Sequence, residues 1–255
     1  MQIAPNPVAA YSLRSLTGGD PRVVRVRRSS DNNEEDFNVS EVNSGALVSF
    51  VGSGNNGFVE TWYDQSGNGR DLVQTTADNQ PKIVDSGSLI TNGGILFDGS
   101  TSVLPFSNFL DFNSSNAMSI FTAQSVTTNI NGHTLGTSNN FGVGISTSRI
   151  GFFIAENSPA ITYDSVSSTD TSLFVIIHNG TSNDPNLSGF VNGSAGTTTS
   201  QGNLLRNRNF QKIGARGPLN NFFSGRIEEI IIYLSDLSSE RVDIETNINN
   251  HYTIF

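Results

Sequence analysis

From residue 118 onward the sequence breaks into short apolar runs, at 119–126, 141–145, 150–155, 160–166 and 173–178, each separated from the next by Ser, Thr, Asn or Gly. Runs of this length between turn formers suit strands better than packed helices. Phe190-Val191-Asn192-Gly193-Ser194 then sets Asn-Gly between strand-like residues. That dipeptide tolerates the positive φ angles of a tight hairpin turn, so it is a strong hairpin signal. The pattern restricts the chain to many short antiparallel strands. Composition agrees: hydrophobic residues are only 35% of 255, as expected where strand residues alternate and connections are turn-rich. The 17 Phe supply large contacts for a core.

Other segments add detail. Val8, Ala9, Tyr11, Leu13 and Leu16 have a rough helical spacing closed by Gly18-Gly19, which predicts a short helix over 7–16. A strand is expected over 22–27, a second short helix within 39–51, a long strand over 223–233 bent near Gly225, a helix over 238–249 and a last strand over 252–255. The sum is an all-β sandwich of jelly-roll type with two or three short helices. No composition shift marks a linker, so the expectation is one domain over 1–255, with residues 1–57 as an N-terminal helix/strand extension packed on it.

The net charge is -9, from 14 basic and 23 acidic residues. Such a surface repels phosphate backbones and anionic lipid, so no nucleic-acid and no membrane partner is expected. Arg22, Arg25, Arg27 and Arg28 are a local exception, read as a solvated face paired with Asp31, Glu34, Glu35 and Asp36. With no cysteine, disulfides and thiolate metal sites are excluded. Met1–Pro5 carries no signal-peptide pattern, and the apolar run at 230–234 is too short to span a bilayer.

Residues 58–72 hold the only Trp and run from a strand-like half into a dense polar turn. Trp62 and Tyr63 cannot face the same side of a strand, and the larger Trp62 is the better core candidate. Asp64, Ser66 and Asn68 can fold onto backbone N–H groups, while Gly67 and Gly69 supply backbone freedom. The order resembles the first half of a calcium loop, but position 12 is Thr75, where a bidentate Glu belongs. The stretch therefore reads as a hydrogen-bonded corner beside a site. Tyr63, Asp64 and Gln65 remain candidate ligand contacts, because rings stack on sugar faces and such polar groups bond hydroxyls. No cofactor is expected; calcium is compatible with a jelly roll, but no site is located.

Two parts of the chain resemble known families. Ala9-Ala10-Tyr11-Ser12-Leu13-Arg14 through Val24-Arg25-Val26-Arg27-Arg28-Ser29-Ser30-Asp31, with Thr61-Trp62-Tyr63-Asp64-Gln65-Ser66-Gly67-Asn68-Gly69, resembles the catalytic domain of the arabinofuranosidase B family. Similar segments occur in phage and bacterial surface proteins. The C-terminal Phe223-Ser224-Gly225-Arg226-Ile227-Glu228-Glu229-Ile230-Ile231-Ile232-Tyr233 is similar to laminin-G-like and concanavalin A-like modules. Both resemblances imply a jelly roll.

The first also implies a retaining glycosidase, which needs two carboxyl groups about 5 Å apart. In the family one is a Glu in a Met-Glu-Asn-Asn context. Phe153-Ile154-Ala155-Glu156-Asn157 matches that spot, which nominates Glu156 and its neighbour Asn157. The family's second carboxylate is an Asp after Ile-Gly-Gly. Here Ile213-Gly214-Ala215-Arg216-Gly217 offers no acid, and Arg216 beside Glu156 would suit a sugar cleft or a salt bridge. Because the pair is incomplete, the expectation is a non-enzymatic virion or surface module: a capsid decoration, head-fibre or tail-associated protein that binds glycans or other virion proteins. It would be made in a host cytoplasm and end on a virion or outside the cell, and a homo-oligomer is compatible with that role. The alternatives are an arabinofuranosidase-like hydrolase using Glu156 and a secreted bacterial adhesin module.

Overall fold

A computed structural model describes residues 6–112, 117–127, 132–137, 141–145, 149–154, 160–162, 170–180, 187–198, 208–217 and 221–255. In chain order the first elements are β1 (Ala9–Ser12), β2 (Arg22–Arg28), β3 (Glu34–Asn38), α1 (Val39–Asn43), α2 (Ala46–Val51) and β4 (Gly57–Trp62). Next come β5 (Leu72–Val73), β6 (Lys82–Asp85), β7 (Ser88–Leu89), β8 (Ile95–Asp98), β9 (Leu104–Phe112) and β10 (Met118–Val126). Then follow β11 (His133–Gly136), β12 (Phe141–Ile145), β13 (Arg149–Ile154), β14 (Ala160–Thr162), β15 (Ser172–His178) and β16 (Leu187–Val191). The last are β17 (Ser194–Ala195), β18 (Thr197–Thr198), β19 (Arg208–Ile213), β20 (Ser224–Tyr233) and α3 (Arg241–Tyr252).

The strands form an antiparallel sandwich, as the sequence pattern predicts. In sheet A, β17, β16, β15, β10 and β20 lie side by side. The far edge of β20 is shared by β1 and β8, and β8 continues through β6 and β4 to β2 and β3. Sheet B runs β9, β19, β11, β12, β13, β14, β18. The short β5 pairs with β4 and with β9.

The central strands of sheet A are buried on both faces, which is why they read as continuous apolar runs. Ile230 and Ile232 of β20 and Phe174 and Ile176 of β15 enter the core between the sheets. Their neighbours Ile231, Tyr233, Leu173, Val175 and Ile177 face the other way, onto Ile244 and Ile248 of α3. Each such side chain contributes about 1.5–3 kcal/mol by leaving water.

Residues 9–12 do not form the helix that their spacing predicts. All four are buried, and Ala9–Ser12 pairs with Glu229–Ile232. The spacing of apolar residues could not distinguish a helix from a strand with both faces covered. The helix expected within 39–51 is two helices, separated at Gly45, whose φ of 82° is left-handed and favours glycine. The C-terminal helix begins three residues later than expected and continues to Tyr252, so the predicted strand over 252–255 is absent. The Asn192-Gly193 hairpin forms between β16 and β17, with φ values of 49° and 76°. Three of the arginines of β2 are paired as expected: Arg25 with Glu34 and Asp36, Arg22 with Asp36, and Arg28 with Asp31; Arg27 instead donates to Gln80 and Asn32, each at 2.7 Å.

Candidate functional site

The corner after β4 spends its polar groups on the fold. Asp64 accepts from the backbone N–H groups of Ala10, Ser66 and Arg70 at 2.9–3.1 Å, and from the Ser66 hydroxyl at 2.7 Å. Gln65 accepts from Leu16 N–H at 2.9 Å and donates to the carbonyls of Ser12 and Arg14 at 2.9 and 3.0 Å. The corner thus straps β1 and the chain following it onto β4. Trp62 is fully buried and packs against Tyr11 at 5.6 Å between ring centroids. Tyr63 faces the other way, donates to Asp36 at 2.7 Å and lies beneath Arg22. Burial raises the Tyr63 hydroxyl pKa, and the bond to Asp36 raises it further.

Arg216 lies elsewhere, in the turn that follows β19 of sheet B. Glu156 and Asn157, nominated with it, lie outside the described residues, although the strand preceding them is described through Ile154. The geometry around Arg216 follows from register. Leu135 pairs with both Val143 and Ile213, and all three enter the core. Their neighbours therefore face away from it. Lys212 pairs with Gly136, Gly136 with Gly142, and Gly142 with Phe153, so these four positions form one row across sheet B. One row over, Gly144 pairs with Gly151, and Gly151 with Ala160. The middle of this face is floored by glycine and alanine.

The turn after β19 folds back over that floor. A Cβ on Gly136 would overlap the Ala215 carbonyl oxygen and would stand 2.9 Å from its carbon and 3.0 Å from the Arg216 Cα. Only glycine permits such a close approach of two backbones. Lys212 ties the turn down by donating to the Gly217 carbonyl at 2.7 Å, and burial lowers its pKa. Sheet A pins β11 from behind. Its register shifts between His133 and Leu135, and Thr134 donates inward to Gln124 of β10 at 3.2 Å, beside a second donation from Thr122 at 3.0 Å. The site thus sets Lys212 and the turn bearing Arg216 against a face whose cross-strand rows are rich in glycine. The alternating glycines of Phe141-Gly142-Val143-Gly144-Ile145 were the signal for that floor, which reading the run simply as apolar passes over.

No family model matches the sequence, and no curated protein matches it. Solved structures do. A GH54 α-L-arabinofuranosidase soaked with a cyclic sulfate inhibitor superposes with a TM-score of 0.67 at 14% identity, covering 96% of this chain and 63% of the other. An arabinofuranosidase complexed with arabinofuranosyl-α-1,2-xylobiose gives 0.64 with the same identity and coverage. A mutant GH54 enzyme soaked with 4-nitrophenyl α-L-arabinofuranoside gives 0.66. The chain spans less than two thirds of these enzymes' length. The expectation of a non-enzymatic virion module is overturned by these matches, because these three structures, which align over nearly the whole chain, are glycoside hydrolases and favour the hydrolase alternative. At this identity they show the fold: the chain is an all-β sandwich of the kind found in arabinofuranosidases.

Proposed function

We propose that this domain is a glycoside hydrolase acting on an arabinofuranoside, with its substrate on the glycine-floored outer face of sheet B and Glu156 as one reacting carboxylate. The observation that carries this reading is the row Lys212, Gly136, Gly142, Phe153, with Arg216 folded over Gly136. Glu156 follows Phe153 by three positions in the sequence. The neighbouring arabinofuranosidases, one of them complexed with an arabinofuranosyl-xylobiose, support the substrate class.

The chemistry assigns roles. A retaining hydrolase needs one ionised carboxylate as nucleophile, the role assigned here to Glu156. A general acid must then protonate the leaving oxygen, and residues 213–217 supply no carboxyl group for that task. Release of p-nitrophenol from 4-nitrophenyl α-L-arabinofuranoside tests the reading. The intact chain should turn the substrate over, and Glu156→Gln should lower kcat by about 10²–10⁴-fold or more. Absence of turnover of both this substrate and arabinofuranosyl-xylobiose by well-folded protein would overturn it.

A further inference from the structure

On the opposite side of the sandwich, the outer face of sheet A carries a polar cleft. It has a volume of about 440 Å³ and lies between the segment after β1, the end of α1, the turn before β8 and the end of α3. That volume falls within the roughly 300–1,000 Å³ of small-molecule sites. Leu13 and Ile90 form apolar walls, and Arg14, Asn43, Asn92 and His251 supply the polar groups.

Arg14 is held rigidly. Its Nε and Nη2 donate to Glu229 at 2.7 and 2.8 Å, and Nη2 also donates to Asn247 at 2.8 Å. Its remaining nitrogen, Nη1, makes no hydrogen bond among the described residues, and the side chain is 13% exposed. The Asn43 amide and the His251 ring likewise make none there, while Asn92 uses only its amide nitrogen, on Thr171 at 3.2 Å. The cleft therefore presents donors from Arg14 and Asn43, a ring nitrogen pair from His251 and the Asn92 carbonyl, all beside apolar walls.

Charge decides the class of ligand. The Arg14 guanidinium is matched by the fully buried Glu229. Burial, and secondarily the proximity of Arg14, lowers the pKa of His251 and favours its neutral ring. A cleft with balanced charge gives little attraction to a phosphate or a dianion, whereas planar amide, guanidinium and imidazole groups suit adjacent hydroxyls. We infer that this cleft binds a neutral pentose or hexose unit and forms a second carbohydrate site, separate from the outer face of sheet B.

Isothermal titration of the Glu156→Gln chain with a panel of neutral oligosaccharides tests this inference. The panel is arabinofuranosyl-xylobiose, xylotetraose, arabinotetraose and cellotetraose. At least one should bind, and Asn43→Ala with His251→Ala should weaken it by tenfold or more. Asn92→Gly, which tolerates the φ of 57° at that position, should do the same. In the otherwise unaltered chain these substitutions should leave turnover of the aryl arabinofuranoside unchanged. Failure of the whole panel to bind, or affinity that is unchanged in both cleft variants, overturns the inference. The inference does not depend on hydrolysis: an inactive chain that still binds through the cleft refutes only the proposed reaction.

Discussion

Gly136→Ala probes the closest backbone approach on the face assigned to substrate. The new Cβ would overlap the Ala215 carbonyl oxygen, stand 2.9 Å from the Ala215 carbon and lie 3.0 Å from the Arg216 Cα. Carbon atoms in contact prefer about 3.5–4.0 Å, and the overlap with the Ala215 oxygen is tighter still, so the 215–216 backbone must move outward by more than about 1 Å. The obstacle is main chain, which no rotamer change can relieve, and Leu135 and Ile213 lock both strands from the core side. Overpacking of this kind costs about 1–3 kcal/mol. For a chain of 255 residues, that corresponds to a melting temperature lower by about 2–10 °C. Gly54→Ala provides the comparison. It has a φ of 74° with nothing within 4 Å of the added carbon, so it should cost only about 1 kcal/mol, from the left-handed backbone. Thermal unfolding measures both. In addition, Gly136→Ala should reduce aryl-arabinofuranoside turnover by more than its stability loss explains, because the turn carrying Arg216 is displaced. A Gly136→Ala protein that melts within a degree of the parent and keeps full turnover would refute the close approach and the placement of the site.

Gln65→Ala strips partners from Leu16 N–H and from the carbonyls of Ser12 and Arg14, and it should cost about 2–4 kcal/mol in urea unfolding; a cost below about 1 kcal/mol would show that the corner does not strap β1. Glu228 is the extra residue where the register of β20 on β10 slips. Its Oε2 lacks a hydrogen bond among the described residues, and burial pushes its pKa up to about 7. Because the folded state holds that proton more tightly, stability should fall as pH rises from about 4.5 to 7, by up to about 3 kcal/mol. Glu228→Gln should abolish this fall, and parallel unfolding profiles for the two proteins would refute it. Burial alone would raise the Asp98 carboxyl, but the N–H groups of Ser102, Thr101 and Ser100 outweigh it and hold the group well below the usual carboxylate range. Asp98→Ala should therefore cost about 1–3 kcal/mol at pH 7. That deficit should shrink as pH falls below 3.8, the ordinary value for the group; a deficit unchanged at low pH would contradict the assignment.

The strand pattern was legible because alternation and turn chemistry are local. Asn192-Gly193 closes its hairpin with two positive φ angles, and Trp62 is in the core. The fate of Ala9–Ser12 was not local. Its partner strand lies some 220 residues further on, and only that pairing makes a strand of residues whose spacing also fits a helix. The interruption at Gly45 had a local signal in the glycine itself, although the surrounding apolar residues suggested a continuous helix.

The candidate site was harder to read for a different reason. Motif matching looks for chemical groups, and the outer face of sheet B is defined largely by side chains that are missing. Gly136, Gly142, Gly144 and Gly151 come from three strands and become one floor only through register. The Gly136 row also joins Lys212 to the turn bearing Arg216, which the sequence shows merely as the position where an acid was expected. In that setting the exchange of an acid for Arg216 no longer argues against catalysis by itself. A cation favours the ionised form of a carboxylate within about 4–6 Å of it, and the proton donor then has to come from another position. The Glu156→Gln measurement decides whether such a partner works on this face, and the Gly136→Ala measurement decides whether the face must stay bare for it to do so.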